Sequence, residues 1–193
     1  MIIGLTGGIA SGKSLASAYL AEQGYAIVDC DVLAREIMQP GQPTLAAVAN
    51  HFGPEILTAD GTLDRGALAQ IIFHDAAARQ WLDSRAHPAI AALAEEKFAD
   101  LAKDHALIFF VVPLLFESGM DKLCDETWLV HAEDSVRKKR LAARDQIDGD
   151  YAAKKIASQM PEAERLARAT RVLKNDGEPE ALYAQIDDFL KKM

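Results

Sequence analysis

Apolar residues in this chain fall into short unbroken runs separated by longer stretches with helical spacing. Ile2 to Leu5 is such a run, ending in a glycine cluster, and Tyr25 to Val28 is a second, closed by Asp29 and Asp31. Leu107 to Val112 reads LIFFVV, rich in β-branched and aromatic residues without polar alternation, as suits a central parallel strand buried on both faces. Thr127 to Val130 is a fourth strand and Val172 to Leu173 a weaker fifth. Between them, Leu15, Tyr19 and Leu20 mark a helix stopped by Gly24, and another helix runs through Met38 until Pro40, Gly41 and Pro43 break it. Thr44 to about Lys103 is Ala/Leu-rich and helical in period, interrupted at Gly53-Pro54, Asp60-Gly61 and His87-Pro88. A charged helical region follows from Glu133 to Arg171, and a last helix from about Pro179 to Lys192. Strands alternating with helices predict an α/β fold around a mostly parallel sheet.

Composition narrows the function classes. The 193 residues carry a net charge of −8, which repels nucleic acid and anionic membrane surfaces. Cys30 and Cys124 are the only cysteines and lie far apart, so neither a disulfide framework nor a zinc site is expected, and a reducing cytosol suits them. MIIGLTGG has no basic n-region, and the longest apolar run, Ala106 to Phe116, is too short to span a bilayer. A soluble, unexported protein is expected.

The stretch LTGGIASGKS changes the picture most. Gly7, Gly12, Lys13 and Ser14 satisfy G-x-x-x-x-G-K-[ST] between a buried strand and a helix. In that setting the glycines let backbone N–H groups curl round a phosphate, Lys13 reaches the β- and γ-phosphates, and the Ser14 hydroxyl can ligate Mg²⁺. Such a loop supplies half of a kinase and names no acceptor.

Other candidates keep two readings. Asp31, at the carboxyl end of the second strand, suits either an attacking hydroxyl or the N-cap of a helix beginning near Val32. His87 either touches a ligand or simply ends a helix, with Pro88 opening the next. Arg137, Arg140 and Arg144 share a helix face that either clamps phosphates or pairs with local acids in solvent, and Arg165 with Arg168 is equally ambiguous. Phe109, Phe110 and Trp81 are expected in the core.

In order along the chain, GLTGGIASGKS, VDCDVLAREI, HFGPEIL with DGTLDRGAL, HPAI, VVPLLFESG, RLAARD, QMPEAERLARA and KNDG resemble the dephospho-CoA kinase family, from Met1 to about Asp188. The resemblance implies an α/β P-loop NTPase fold with a five-stranded parallel sheet flanked by helices. Its nucleotide-binding core would be residues 1–31, 106–135 and 169–193, its helical acceptor-binding insertion 32–105, and its helical lid 136–168. The implied reaction is phosphorylation of the ribose 3′-hydroxyl of dephospho-CoA by Mg·ATP to give coenzyme A and ADP, the last step of coenzyme A biosynthesis. By position the resemblance assigns Gly8, Ala10, Ser11, Gly12, Lys13, Ser14 and Leu15 to ATP, with Arg140 and Arg144 over its phosphates. Lys13, Arg140 and Asp31 would be catalytic, Asp31 on the acceptor hydroxyl and Ser14 on Mg²⁺. His87, Pro113, Leu114, Leu115 and Glu117 would lie beside dephospho-CoA. A cytoplasmic enzyme is implied, without nucleic acid, membrane or an obligatory protein partner.

Three positions depart from the family's pattern. Leu15 replaces the common threonine. Thr170-Arg171 replaces acidic residues, implying lost negative charge near the adenine. LIFFVV ends in Pro113 and not in an aspartate, leaving Glu117, or Asp31 through water, as the remaining acidic candidates for the metal. The competing readings are another small-metabolite kinase, for a nucleoside or nucleotide, and a non-catalytic nucleotide-dependent switch or degenerate ATP-binding protein. KNDG has the wrong order for a guanine reader.

Overall fold

The computed structural model describes residues 1–193. In chain order the elements are β1 (Ile2–Gly7), α1 (Lys13–Glu22), β2 (Ala26–Asp29), α2 (Cys30–Glu36), α3 (Pro43–Phe52), α4 (Arg65–His74), α5 (Ala76–Leu101), β3 (Ile108–Val111), β4 (Glu126–His131), α6 (Asp134–Asp145), α7 (Gly149–Ala157), α8 (Glu162–Arg168), β5 (Arg171–Lys174) and α9 (Pro179–Leu190). They divide into two compact units, Met1–Val28 with Phe98–Met193, and Asp29–Lys97.

The first unit holds a five-stranded parallel sheet in the order β2-β3-β1-β4-β5. β1 runs parallel between β3 and β4, with Leu5 opposite Val111 on one side and Trp128 on the other. The expected absence of alternation holds: all four β3 residues are buried, as are five of six in β1. Ile3, Leu5, Phe109, Val111, Trp128 and Val130 form one core with Ala16 and Leu20 of α1 and Leu182 and Ile186 of α9. Phe109 and Phe110 are core residues, as predicted. No helix is long and apolar enough to cross a membrane.

The second unit is helical. α4 opens on Asp64, whose side chain accepts the Ala67 N–H at 2.9 Å. Its interior is Leu33, Ile37, Leu45, Val48, Ile56, Leu68 and Ile90. Trp81 is half-buried and stacks on His51 with centroids 3.6 Å apart.

The predicted break at His87-Pro88 does not occur, because α5 runs through Pro88 as a single helix of 26 residues. Proline removes one backbone bond from a helix interior, yet Leu82, Ala86, Ile90, Ala94 and Phe98 continue one i, i+4 stripe across it, the last three buried. Burial of that continuous face outweighs the lost bond. His87 therefore sits mid-helix, half-buried, with Nε2 3.9 Å from Asp83 Oδ1 one turn earlier.

Candidate functional site

β1 delivers the chain into the phosphate-loop sequence, and α1 begins immediately after Gly12. Two residues there adopt the left-handed region, Ala10 at φ 61° and Gly12 at φ 99°. Gly12 also has no room for a side chain, since a Cβ would collide with Nδ2 of Asn175. The Ser11 N–H donates to the Gly8 carbonyl at 3.0 Å, which curls the loop. No side chain caps α1, so its first-turn N–H groups and the positive end of its dipole remain for an anion. Ser11 Oγ is buried in the loop without a partner. Gly7 to Ser14, with Pro113, Leu114, Arg140, Arg144 and Gln159, line a cleft of about 700 Å³.

That cleft gathers Gly8, Ala10, Ser11, Gly12, Lys13 and Ser14 with Arg140 and Arg144. Leu15 is not among the lining residues: it packs on the core, and its N–H bonds the Gly12 carbonyl at 3.0 Å. Its departure from threonine therefore falls on the packing side of α1. Leu115 is fully buried, so its side chain serves the core, whereas Glu117 is exposed just beyond it.

The arginine face resolves into separate tasks. Arg140 Nη1 donates to the Asn175 carbonyl at 2.8 Å, and Arg144 Nε donates to Asp145 at 2.8 Å, both lining the cleft. Arg137 pairs with the local acid Asp134 at 3.0 Å, as the second reading expects, but it does so 1% exposed beneath the loop and not on a solvated face. Of the second pair, Arg165 is buried, while Arg168 pairs with Asp121 at 3.0 Å and lies over Phe116.

Asn175 was missed as a site residue. It stands just past β5, 4% exposed, and its Nδ2 donates to the Ser11 carbonyl at 2.7 Å while its own carbonyl takes the Arg140 bond. It thus ties the loop to the cleft arginine. The signal was KNDG, one of the motifs that carry the family resemblance, in which no role falls to the asparagine.

At the end of β2 the capping reading of Asp31 does not hold. Asp29, not Asp31, caps α2, its Oδ1 accepting the Asp31 N–H at 2.8 Å. Asp31 lies in the first turn of α2 with an exposed side chain. The strand does not continue to Asp31, so the two carboxylates do not form an extended-strand pair. In the helical unit, His87, Asp83 and Arg65 line a cavity of about 320 Å³ whose other walls are mostly apolar.

Of the Thr170-Arg171 departure, Arg171 has an acidic partner of its own. It opens β5, at the end of that strand away from Asn175, and pairs with Glu126 at 2.8 Å and 3.2 Å. That bond holds the Glu126 carboxyl below its ordinary value of 4.5, against an upward push from burial. Burial also pushes Glu162 up, but the His131 hydrogen bond and the Arg165 and Arg137 charges outweigh it and keep its pKa below 4.5. Groups depressed in the fold contribute stability above their unfolded pKa and lose it as pH falls through the folded one. Melting temperature should therefore be flat from neutrality to about pH 5 and decline below about pH 4.5; rising stability on acidification through that window would contradict these pairings.

The sequence profile of the dephospho-CoA kinase family matches residues 1–180. The dephospho-CoA kinase of Moorella thermoacetica is 46% identical over 187 residues, 96% of this chain and 88% of its own length. That of Anaeromyxobacter dehalogenans is 44% identical over 190 residues, 98% and 90% of the two lengths. Among solved structures, a Thermus thermophilus protein superposes with TM-score 0.83 at 35% identity, covering 100% of this chain and 97% of that one. The Campylobacter jejuni dephospho-CoA kinase superposes with TM-score 0.75 at 26% identity, covering 99% and 98%. Shikimate kinase from Acinetobacter baumannii, at 13% identity and TM-score 0.55, shares the fold. With a phosphate loop opening on an arginine-lined cleft, and relatives aligned along nearly their whole length, the chain belongs to the dephospho-CoA kinase family.

Proposed function

We propose that this protein transfers the γ-phosphoryl group of ATP to the ribose 3′-hydroxyl of dephospho-CoA, giving coenzyme A and ADP, the last step of coenzyme A synthesis. The observation that carries this reading is the uncapped start of α1 in a cleft shared by Lys13, Ser14, Arg140 and Arg144. Phosphoryl transfer asks a protein mainly for positioning and charge neutralisation. The loop amides and Lys13 hold the β- and γ-phosphates, and Arg140 and Arg144 add two cations as negative charge shifts toward the leaving oxygen. The 3′-oxygen forms the new bond to phosphorus, the bond from the γ-phosphorus to the bridging oxygen breaks, and Asp31 takes the hydroxyl proton.

Mg²⁺ fits the residues present. Ser14, in the first turn of α1, lines the same cleft as Lys13, where its hydroxyl would complete the coordination of an ion held by nucleotide phosphates and water. Bound there, it would neutralise charge between the β- and γ-phosphates.

Acceptor contacts, in the same proposal, come from each unit taken by itself: within the helical unit Arg65 and His87 stand among apolar walls such as Leu68 and Ile72, and within the core unit Pro113 and Leu114, which line the phosphate cleft, are followed by Leu115 and Glu117. Residues 136–168 act as a lid whose moving part lies between Arg140 and Gln159. A cytoplasmic setting without an obligatory protein partner completes the proposal. Incubation with Mg·ATP and dephospho-CoA should give coenzyme A bearing a 3′-phosphomonoester by ³¹P NMR; phosphate at another position, or none, would contradict it.

A further inference from the structure

The turn after α7 carries Gln159, which has no part in the chemistry above, yet its side chain reaches the phosphate loop. Gln159 Oε1 accepts the Ile9 N–H at 2.8 Å and Arg137 Nη2 at 3.2 Å. Arg137 Nε in turn donates to the Ile9 carbonyl at 3.0 Å. Both polar groups of one loop residue are thus held by side chains distant in sequence. Arg137 is itself fixed, its Nη1 lying 3.0 Å from Asp134 and 3.2 Å from Glu162. Glu162 also takes Arg165, and its other oxygen meets His131 Nδ1 at 2.7 Å.

Three features tie this cluster to the form of the loop beyond simple packing. The loop lies flush on the guanidiniums, since a Cβ at Gly8 would sit 2.7 Å from Arg137 Cζ and 2.9 Å from Arg165 Nη2. Ala10, the residue after Ile9, has φ 61°, a conformation that alanine keeps only when its surroundings impose it. Buried guanidiniums are also a poor means of gaining stability, because desolvation offsets much of their pairing. Arg137 and Arg165 face one half-buried carboxylate, Glu162, while Asp134 is solvated with its side chain 73% exposed. Two guanidiniums are thus matched by two carboxylates, so the cluster fixes the loop's position more than it adds net charge.

We propose that Gln159 and Arg137 are positioning residues of the phosphotransfer site: they latch the Ile9 backbone, hold the loop in its anion-receiving form, and set its affinity for nucleotide phosphates. This rests on the reading that the loop holds ATP. The latch is built from the turn that closes the α7 segment, so the loop and the return of the lid share one fixed point.

Isothermal titration of ADP and AMP into the full chain tests it, since the loop grips the β-phosphate that AMP lacks. Gln159→Leu, which keeps the shape and removes the acceptor, should weaken ADP about tenfold and AMP less than about twofold, as expected when the half-buried Ile9 N–H and a guanidinium N–H lose their shared acceptor. Gln159→Glu restores an acceptor and should recover ADP affinity to within about threefold of the parent. Wild-type affinity in Gln159→Leu, equal loss for ADP and AMP, or no recovery in Gln159→Glu would overturn the latch. Should Gln159→Leu fail to fold, Arg137→Lys, which keeps charge but loses the Nε bond to Ile9, should show the same selective loss of ADP, and an unchanged ADP affinity would overturn the proposal. A parent protein that binds no ADP would refute the nucleotide site itself, a distinct result.

Discussion

Replacing Lys13 by Ala should lower turnover with Mg·ATP and dephospho-CoA by about 10³-fold, near the upper end of what removing one preorganised charge costs. Lys13 opens α1 directly after the left-handed Gly12, half-buried, in the same cleft as Arg140 and Arg144. Its ammonium is the one cation supplied by the loop itself, carried at the start of α1, whereas Arg140 and Arg144 reach the cleft from α6. The loss should fall on kcat and on the KM for ATP, leaving the KM for dephospho-CoA within about twofold, since Lys13 is proposed to hold the ATP phosphates and not the acceptor. Steady-state kinetics with each substrate varied would decide it. A modest effect, or one confined to dephospho-CoA, would mean that the loop does not carry the transferred phosphate.

Asp31→Asn should cost about 10²-fold or more in kcat, in the range set by general-base contributions. The substitution keeps shape and removes only the capacity to take a proton. It is also structurally mild: Asp29 caps α2, so Asp31 carries no capping duty, and its side chain is exposed. Melting temperature and ADP affinity should stay close to the parent values while single-turnover phosphoryl transfer slows. Near-normal turnover in Asp31→Asn would remove Asp31 from the chemistry. Asp29→Asn serves as the control, because asparagine caps helices nearly as well as aspartate.

Much of this was legible in the sequence because unbroken apolar runs allow few alternatives: LIFFVV and IIGL can be satisfied only where both faces are buried, and both became central strands. The phosphate loop was legible because its glycines and lysine are fixed by local geometry. What depended on distant partners was not. Arg137 has the same helical spacing as Arg140 and Arg144, and only the approach of Ile9, Gln159 and Glu162 makes it a buried residue. Asn175 gained its role from a loop 164 residues away. Pro88 misled because its local cost was visible while the stripe from Leu82 to Phe98 that offsets it was not weighed. Asp31 lost the cap to Asp29 by two residues, within the usual uncertainty of helix ends.

The central claim is that ATP is consumed for one acceptor. ADP release, followed by a coupled assay with Mg·ATP and dephospho-CoA, adenosine, AMP or pantetheine in turn, tests it most directly. ADP should form rapidly with dephospho-CoA and only at background with the others; equal or faster turnover with any other member of the panel would contradict the dephospho-CoA kinase reading.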